Sequence, residues 1–113
     1  MGSELDLNRL AELRDLLQAD LPELVTQLAT GISEALIRLS SALAADDLAA
    51  VADAAHAARN EALMLGAQGL LEALEAVELN AREQHSQAAR EALARAHSIW
   101  PGVRAALQRV ARA

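Results

Sequence analysis

Asp47-Leu48-Ala49-Ala50-Val51-Ala52-Asp53-Ala54-Ala55-His56-Ala57-Ala58-Arg59-Asn60-Glu61-Ala62-Leu63-Met64-Leu65-Gly66-Ala67 reads as one complete helix with its own start and stop signals. Asp46 and Asp47 can cap the helix start, and Gly66 breaks it, which sets the helix at about 47–65. Alanine and leucine, the best helix formers, fill the space between. At 3.6 residues per turn, Val51, Ala55, Ala58, Ala62 and Leu65 share one stripe, the expected core face. Several of the alanines let neighbouring helices approach.

The flanking sequence repeats the pattern. Ser3 followed by Asp6 resembles a loose capping box and opens a helix over about 4–18, with Leu7, Leu10, Leu13 and Leu17 on one stripe. Asp20-Leu21-Pro22-Glu23 is a second start, with Asp20 as cap and Pro22 in the first turn. That helix runs to about Ala44, with Leu21, Leu24, Leu28, Ile32, Leu36, Leu39 and Leu43 inward. Gly31 in its middle costs about 1 kcal/mol against alanine, which points to close packing there. A further helix is expected over about 67–84 with Leu70, Leu71, Leu74 and Val77 inward. Ser86 is expected to cap a last one over about 86–111, kinked or broken at Pro101. Short connections between long helices favour antiparallel neighbours. The expected fold is all-α: a single domain over residues 1–113, an antiparallel up-down four-helix bundle with an additional short N-terminal helix.

Composition agrees and narrows the chemistry. The 113 residues are 53% hydrophobic but only 1% aromatic, Trp100 alone, with no cysteine and no lysine. A β-sandwich or barrel, a disulfide scaffold, a thiolate nucleophile and a cysteine-ligated zinc site are excluded. The net charge is -6, with no basic cluster, so nucleic acid and a direct membrane-surface contact are not expected. No apolar run approaches the roughly 20 residues that span a bilayer. The start has no signal-peptide pattern, and the expected location is cytoplasmic. Met1-Gly2-Ser3 reads as an expression scar, which would make the chain a domain cut from a longer one, such as a membrane-bound sensor kinase.

Three histidines remain as candidate reactive groups: His56, His85 and His97. None is spaced from another as helical metal ligands are, so no metal site is expected. His85 near a helix junction and His97 on the last helix's flank read as solvated. His56 points roughly opposite the core stripe of its helix. Its face carries Ala49, Ala52, Asp53, Arg59, Asn60 and Leu63. Small Ala49 and Ala52 are expected to leave the imidazole open, and Arg59 places a permanent cation within reach. Position alone favours an ordinary exposed histidine.

The same stretch resembles the histidine-containing phosphotransfer (HPt) domain. Ala55-His56, the basic Arg59 three residues on, and Leu65-Gly66-Ala67 fall in that family's register, followed by Leu70, Leu74 and Glu78. Upstream, Leu13-Arg14-Asp15-Leu16-Leu17 and Asp20-Leu21-Pro22-Glu23-Leu24 resemble its usual opening. The resemblance implies a phosphorelay intermediate. His56 would accept a phosphoryl group on Nε2 from a receiver-domain aspartate and pass it to another receiver's aspartate. Arg59 would stabilise the phosphoryl oxygens, and Glu78 would orient the imidazole through Nδ1–H. No cofactor of its own is implied; Mg²⁺ would come from the receiver. No nucleotide loop is present, so no autonomous kinase activity is expected.

Two positions depart from the family. Asn60 stands where glycine is usual, near the phosphoryl group, and Glu61 stands where serine is usual, about 140° around the helix from His56. They motivate the alternative of a docking module that binds receiver or kinase domains without being phosphorylated. Partner contact is expected through Ala49, Ala52, Asp53 and Leu63. The partners implied are receiver domains of response regulators or hybrid histidine kinases.

Overall fold

The computed structural model describes residues 20–112 together with Asn8, Ala11, Glu12 and Asp15. Apart from those four positions, the helix expected over 4–18 lies outside the described residues. Four helices follow: α1 (Leu21–Ala44), α2 (Leu48–Leu65), α3 (Gln68–Arg82) and α4 (Ser86–Arg112). The described residues contain no strand. The predicted boundaries hold to within two residues. Each helix packs on the next, and α4 returns to pack on α1, closing the bundle.

All three connections are built alike. In each, one residue takes the left-handed conformation: Asp46 (φ 55°), Gly66 (φ 68°) and Gln84 (φ 64°). Each ends its helix with the same pair of backbone hydrogen bonds. Asp46 N–H donates to Leu43 and Asp47 N–H to Ala42; Gly66 donates to Leu63 and Ala67 to Ala62; Gln84 donates to Ala81 and His85 to Asn80. Two carbonyls in the last turn of each of α1, α2 and α3 are thereby satisfied, and the chain reverses within two or three residues. Asp47 caps α2 as expected, its carboxylate accepting from Ala50 N–H at 3.1 Å. Asp20 does not cap α1. Its backbone is already helical (φ -84°, ψ -9°), and its side chain makes no capping bond.

The core is the predicted leucine set with alanines between. Leu21, Val25, Leu28, Ile32, Leu36, Leu39 and Leu43 of α1 are buried, while Leu24 is only half-buried. Leu70, Leu71, Leu74 and Val77 of α3 face inward as expected. The buried face of α2 is mostly alanine, Ala52, Ala55, Ala58 and Ala62, with Val51 and Leu65 toward its ends. Pro101 does not break α4, which runs through it. Pro101 lies on the exposed side, where helix carbonyls open toward water, while Trp100 and Val103 beside it are buried. Trp100 also donates from Nε1 to Ser33 Oγ at 3.2 Å, tying α4 to α1.

Gly31 is the site of close packing that its mid-helix position implied. A Cβ built there would collide with the Glu61 carboxylate of α2. The two positions are equidistant from the α1–α2 turn, as an antiparallel hairpin requires.

Among the three left-handed positions, only Gln84 carries neither the freedom of glycine nor the left-handed tolerance of aspartate. Replacing it should relieve backbone strain. Gln84→Gly is expected to stabilise the fold by about 0.5–1 kcal/mol, net of the entropy that glycine gives the unfolded chain. Thermal unfolding checks this; an unchanged or lower midpoint would contradict it.

Candidate functional site

The α2–α3 turn decides which side chains meet. It is centred on Ala67, so residues equally far on either side lie at the same height on two antiparallel helices. His56 and Glu78 are such a pair. The His56 Nδ1 is 3.0 Å from Glu78 Oε2. An ionised carboxylate can only accept, so Nδ1 carries the shared hydrogen. In the neutral ring Nε2 is then the bare lone pair. It has no hydrogen-bond partner among the described residues, and the His56 side chain is 48% exposed.

Glu78 is the hub of the site, with a side chain only 13% exposed. Besides His56, it receives Arg82 Nη2 at 2.9 Å and Nε at 3.1 Å, both on Oε2. Arg59 Nε lies 3.6 Å from Oε1. Arg59 Nη2 is also 3.3 Å from His56 Nδ1, but that nitrogen's hydrogen already points to Glu78, so this is a close contact and not a second hydrogen bond. Arg59 Nε is buried with no hydrogen-bond partner. The Arg59 guanidinium therefore lies on the Nδ1 side of the ring, toward Glu78. Burial pushes the Glu78 carboxyl up, but hydrogen bonds from Arg82 and His56 and the charges of His56 and Arg59 outweigh it. The result lies below the ordinary value of 4.5.

The other predicted positions separate into two groups. Ala49, Asp53, Asn60 and Leu63 are exposed around His56, Leu63 at 60%. The Asn60 side chain makes no hydrogen bond among the described residues. Ala52 is a correction: it is 3% exposed and belongs to the core, so it offers a partner nothing to touch. It sits about 40° from His56 around the helix, on the flank that α3 covers. A single-helix projection cannot show on which flank the neighbour lies.

Glu61 turns the other way, onto Gly31 of α1. Burial raises its carboxyl above the ordinary value, Arg38 opposes that, and Glu34 adds to it. Its charge is thus held at the α1–α2 seam and not beside His56.

Arg82 was not anticipated from the sequence, although Glu78 and Arg82 have the i, i+4 spacing and order of a favourable helical ion pair. His85 is exposed in the α3–α4 connection, 3.7 Å from Glu83. His97 is exposed as expected but also bonds Ser40 Oγ of α1 through Nε2 at 3.0 Å. A cavity of about 530 Å³ between α1 and α4 is lined by none of the predicted site residues. A shallower hollow of about 280 Å³ beside the site is lined by Arg59, Glu75, Glu78, Leu79 and Arg82. Among the described residues, no three histidine or carboxylate side chains are grouped to hold a metal ion, and no helix is long and apolar enough to cross a membrane.

No family model and no curated protein matches the chain. Among solved structures it is similar to histidine-containing phosphotransfer protein B (HptB) from Pseudomonas aeruginosa PAO1. The TM-score is 0.94 at 24% sequence identity, over 99% of this chain and 97% of that one. The two share one fold along essentially their whole length, and this chain has the helical bundle of a histidine-containing phosphotransfer protein.

The lowered carboxyl of Glu78 has a consequence for stability. An acid held below its unfolded value stabilises the fold while ionised. That contribution is complete above the ordinary range near 4.5 and is lost as pH falls through the lowered value. Glu78→Gln is expected to cost about 1 kcal/mol near neutral pH, the upper end for partly exposed pairs. Urea unfolding across pH should show the gap between wild type and variant closing at acid pH. A gap that stays constant would contradict the ionic role.

Proposed function

We propose that this chain is a phosphorelay intermediate in which His56 takes a phosphoryl group from a receiver-domain aspartate and delivers it to the aspartate of another receiver. The observation that carries the reading is the His56–Glu78 pair on an open helix face. One ring nitrogen is committed to a carboxylate, and the other is left as an exposed nucleophile. The shared fold with HptB, whose name states phosphotransfer, supports the same reading.

The chemistry follows from the ring. The Nε2 lone pair attacks the phosphorus of the aspartyl phosphate. An N–P bond forms, and the P–O bond to the aspartate breaks, its electron pair leaving with the carboxylate. The imidazole now carries positive charge, shared with Nδ1–H, and Glu78 stands 3.0 Å from that nitrogen to balance it. Delivery to the second receiver is the reverse step, with its aspartate as nucleophile. The incoming phosphoryl oxygens need a cation on the Nε2 side. Arg59 supplies it by swinging from Glu78 toward the phosphoryl group, which also gives its buried Nε a partner. The magnesium ion of the transfer belongs to the receiver's own site and needs no ligand here.

The docking face is the exposed surround of His56: Ala49, Asp53, Asn60 and Leu63. Receivers of response regulators or of hybrid histidine kinases are the partners that fit this chemistry. Glu61 was part of the case for a transfer-deficient docking module. Its seat on Gly31 removes its charge from the phosphoryl position, and the reading as a carrier is the one the geometry favours.

Incubation with a radiolabelled phospho-receiver tests this. Wild type is expected to take up label and His56→Gln none. Arg59→Ala is expected to slow uptake by about tenfold to a hundredfold, less than the loss of a dedicated oxyanion donor, with the fold intact. Label that survives His56→Gln would overturn the assignment.

A further inference from the structure

The proton arrangement at His56 depends on where Glu78 Oε2 is held, and His56 itself does not hold it. Glu78 reaches across from α3 and could turn toward Arg59 as readily as toward the imidazole. Arg82 removes that freedom. A guanidinium usually grips both oxygens of a carboxylate with parallel bonds. Here Nε and Nη2 converge on Oε2, at 3.1 and 2.9 Å, the same oxygen that lies 3.0 Å from His56 Nδ1. Oε1 is left to Arg59, at the longer distance of 3.6 Å. The two arginines thus divide the carboxylate. One fixes the oxygen that faces the histidine, and the other rests loosely on the oxygen that does not.

Arg82 is well placed to stay. It stands in the last turn of α3, where the helix dipole favours a cation, and one helical turn from Glu78. Arg59 sits on α2 beside His56 and is the cation that must move when a phosphoryl group arrives. Without a second cation, its departure would leave Glu78 with His56 alone. Its return would compete for the same carboxylate.

We propose that Arg82 is a positioning residue for His56, acting through Glu78: it pins Oε2 onto Nδ1–H and so keeps Nε2 unprotonated and outward whether or not Arg59 is paired. The consequence for transfer rests on the phosphorelay reading above; the consequence for the imidazole tautomer does not. A surface ion pair of purely structural role would move the melting temperature slightly and leave the tautomer alone.

The experiment is ¹⁵N NMR of the His56 ring in its neutral form, on the full chain. It compares wild type with Arg82→Ala, Arg82→Gln and Arg82→Lys, alongside label uptake from a phospho-receiver. Wild type is expected to be mainly Nδ1–H. Arg82→Ala and Arg82→Gln should move the ring toward Nε2–H and slow uptake by about tenfold, the lower end of what losing an outer partner of a functional histidine costs. Arg82→Lys should restore much of both. Arg82→Gln keeps the side-chain length and carries the test should Arg82→Ala not fold. An unchanged tautomer in the folded alanine or glutamine variant overturns the proposal. So does a tautomer shift that lysine fails to reverse. If the tautomer responds as expected but wild type takes up no label, the positioning role stands and the phosphorelay reading fails.

Discussion

The short turn at Gly66-Ala67 is the constraint on which the rest of the site depends. It reverses the chain in two residues, using the left-handed backbone of Gly66, and so puts α2 and α3 in fixed antiparallel register. His56 and Glu78 then face one another although 22 residues separate them. A longer connection would let α3 slide, and a slide of one residue would move Glu78 by about 1.5 Å along the axis and 100° around it. The alanine face of α2 serves the same end. Ala52, Ala55, Ala58 and Ala62 bring the neighbouring helices close enough for side chains to reach across the seams.

Charge is arranged with comparable economy. The chain carries a net -6, an unfavourable background for receiving an anion. Two features offset it locally. Arg59 and Arg82 both converge on Glu78, and the neighbouring Glu61 is drawn away against Gly31 on the opposite seam. The carboxylate at the centre stays ionised because its donors outweigh its burial. An ionised Glu78 is what assigns the imidazole's hydrogen to Nδ1.

Much of this was legible in the residues, and what was missed has identifiable causes. Helix spans, the leucine core and the outward face of His56 follow from periodicity and turn residues, which act within one helix. Glu78 entered only through the family resemblance. Equal spacing from Ala67 would have located it independently, as equal spacing from Asp46 pairs Gly31 with Glu61. Ala52 was misplaced because a wheel drawn for α2 alone carries no information on where α3 lies. The left-handed roles of Asp46 and Gln84 were hidden, since neither is glycine, and Asp20 was misread because its backbone had already entered the helix. Arg82 was visible as half of an i, i+4 pair. That the oxygen it grips is the one shared with His56 of α2 is a tertiary fact, and no local pattern reports it.

In the proposed relay, His56 reacts through Nε2 because Glu78 occupies Nδ1. This is tested most directly by loading the chain from a phospho-receiver and recording ¹H–¹⁵N–³¹P correlations of the phosphorylated ring. Phosphorus is expected to couple to Nε2 of His56, with Nδ1 still protonated. Phosphorus on Nδ1, or on a residue other than His56, would contradict it.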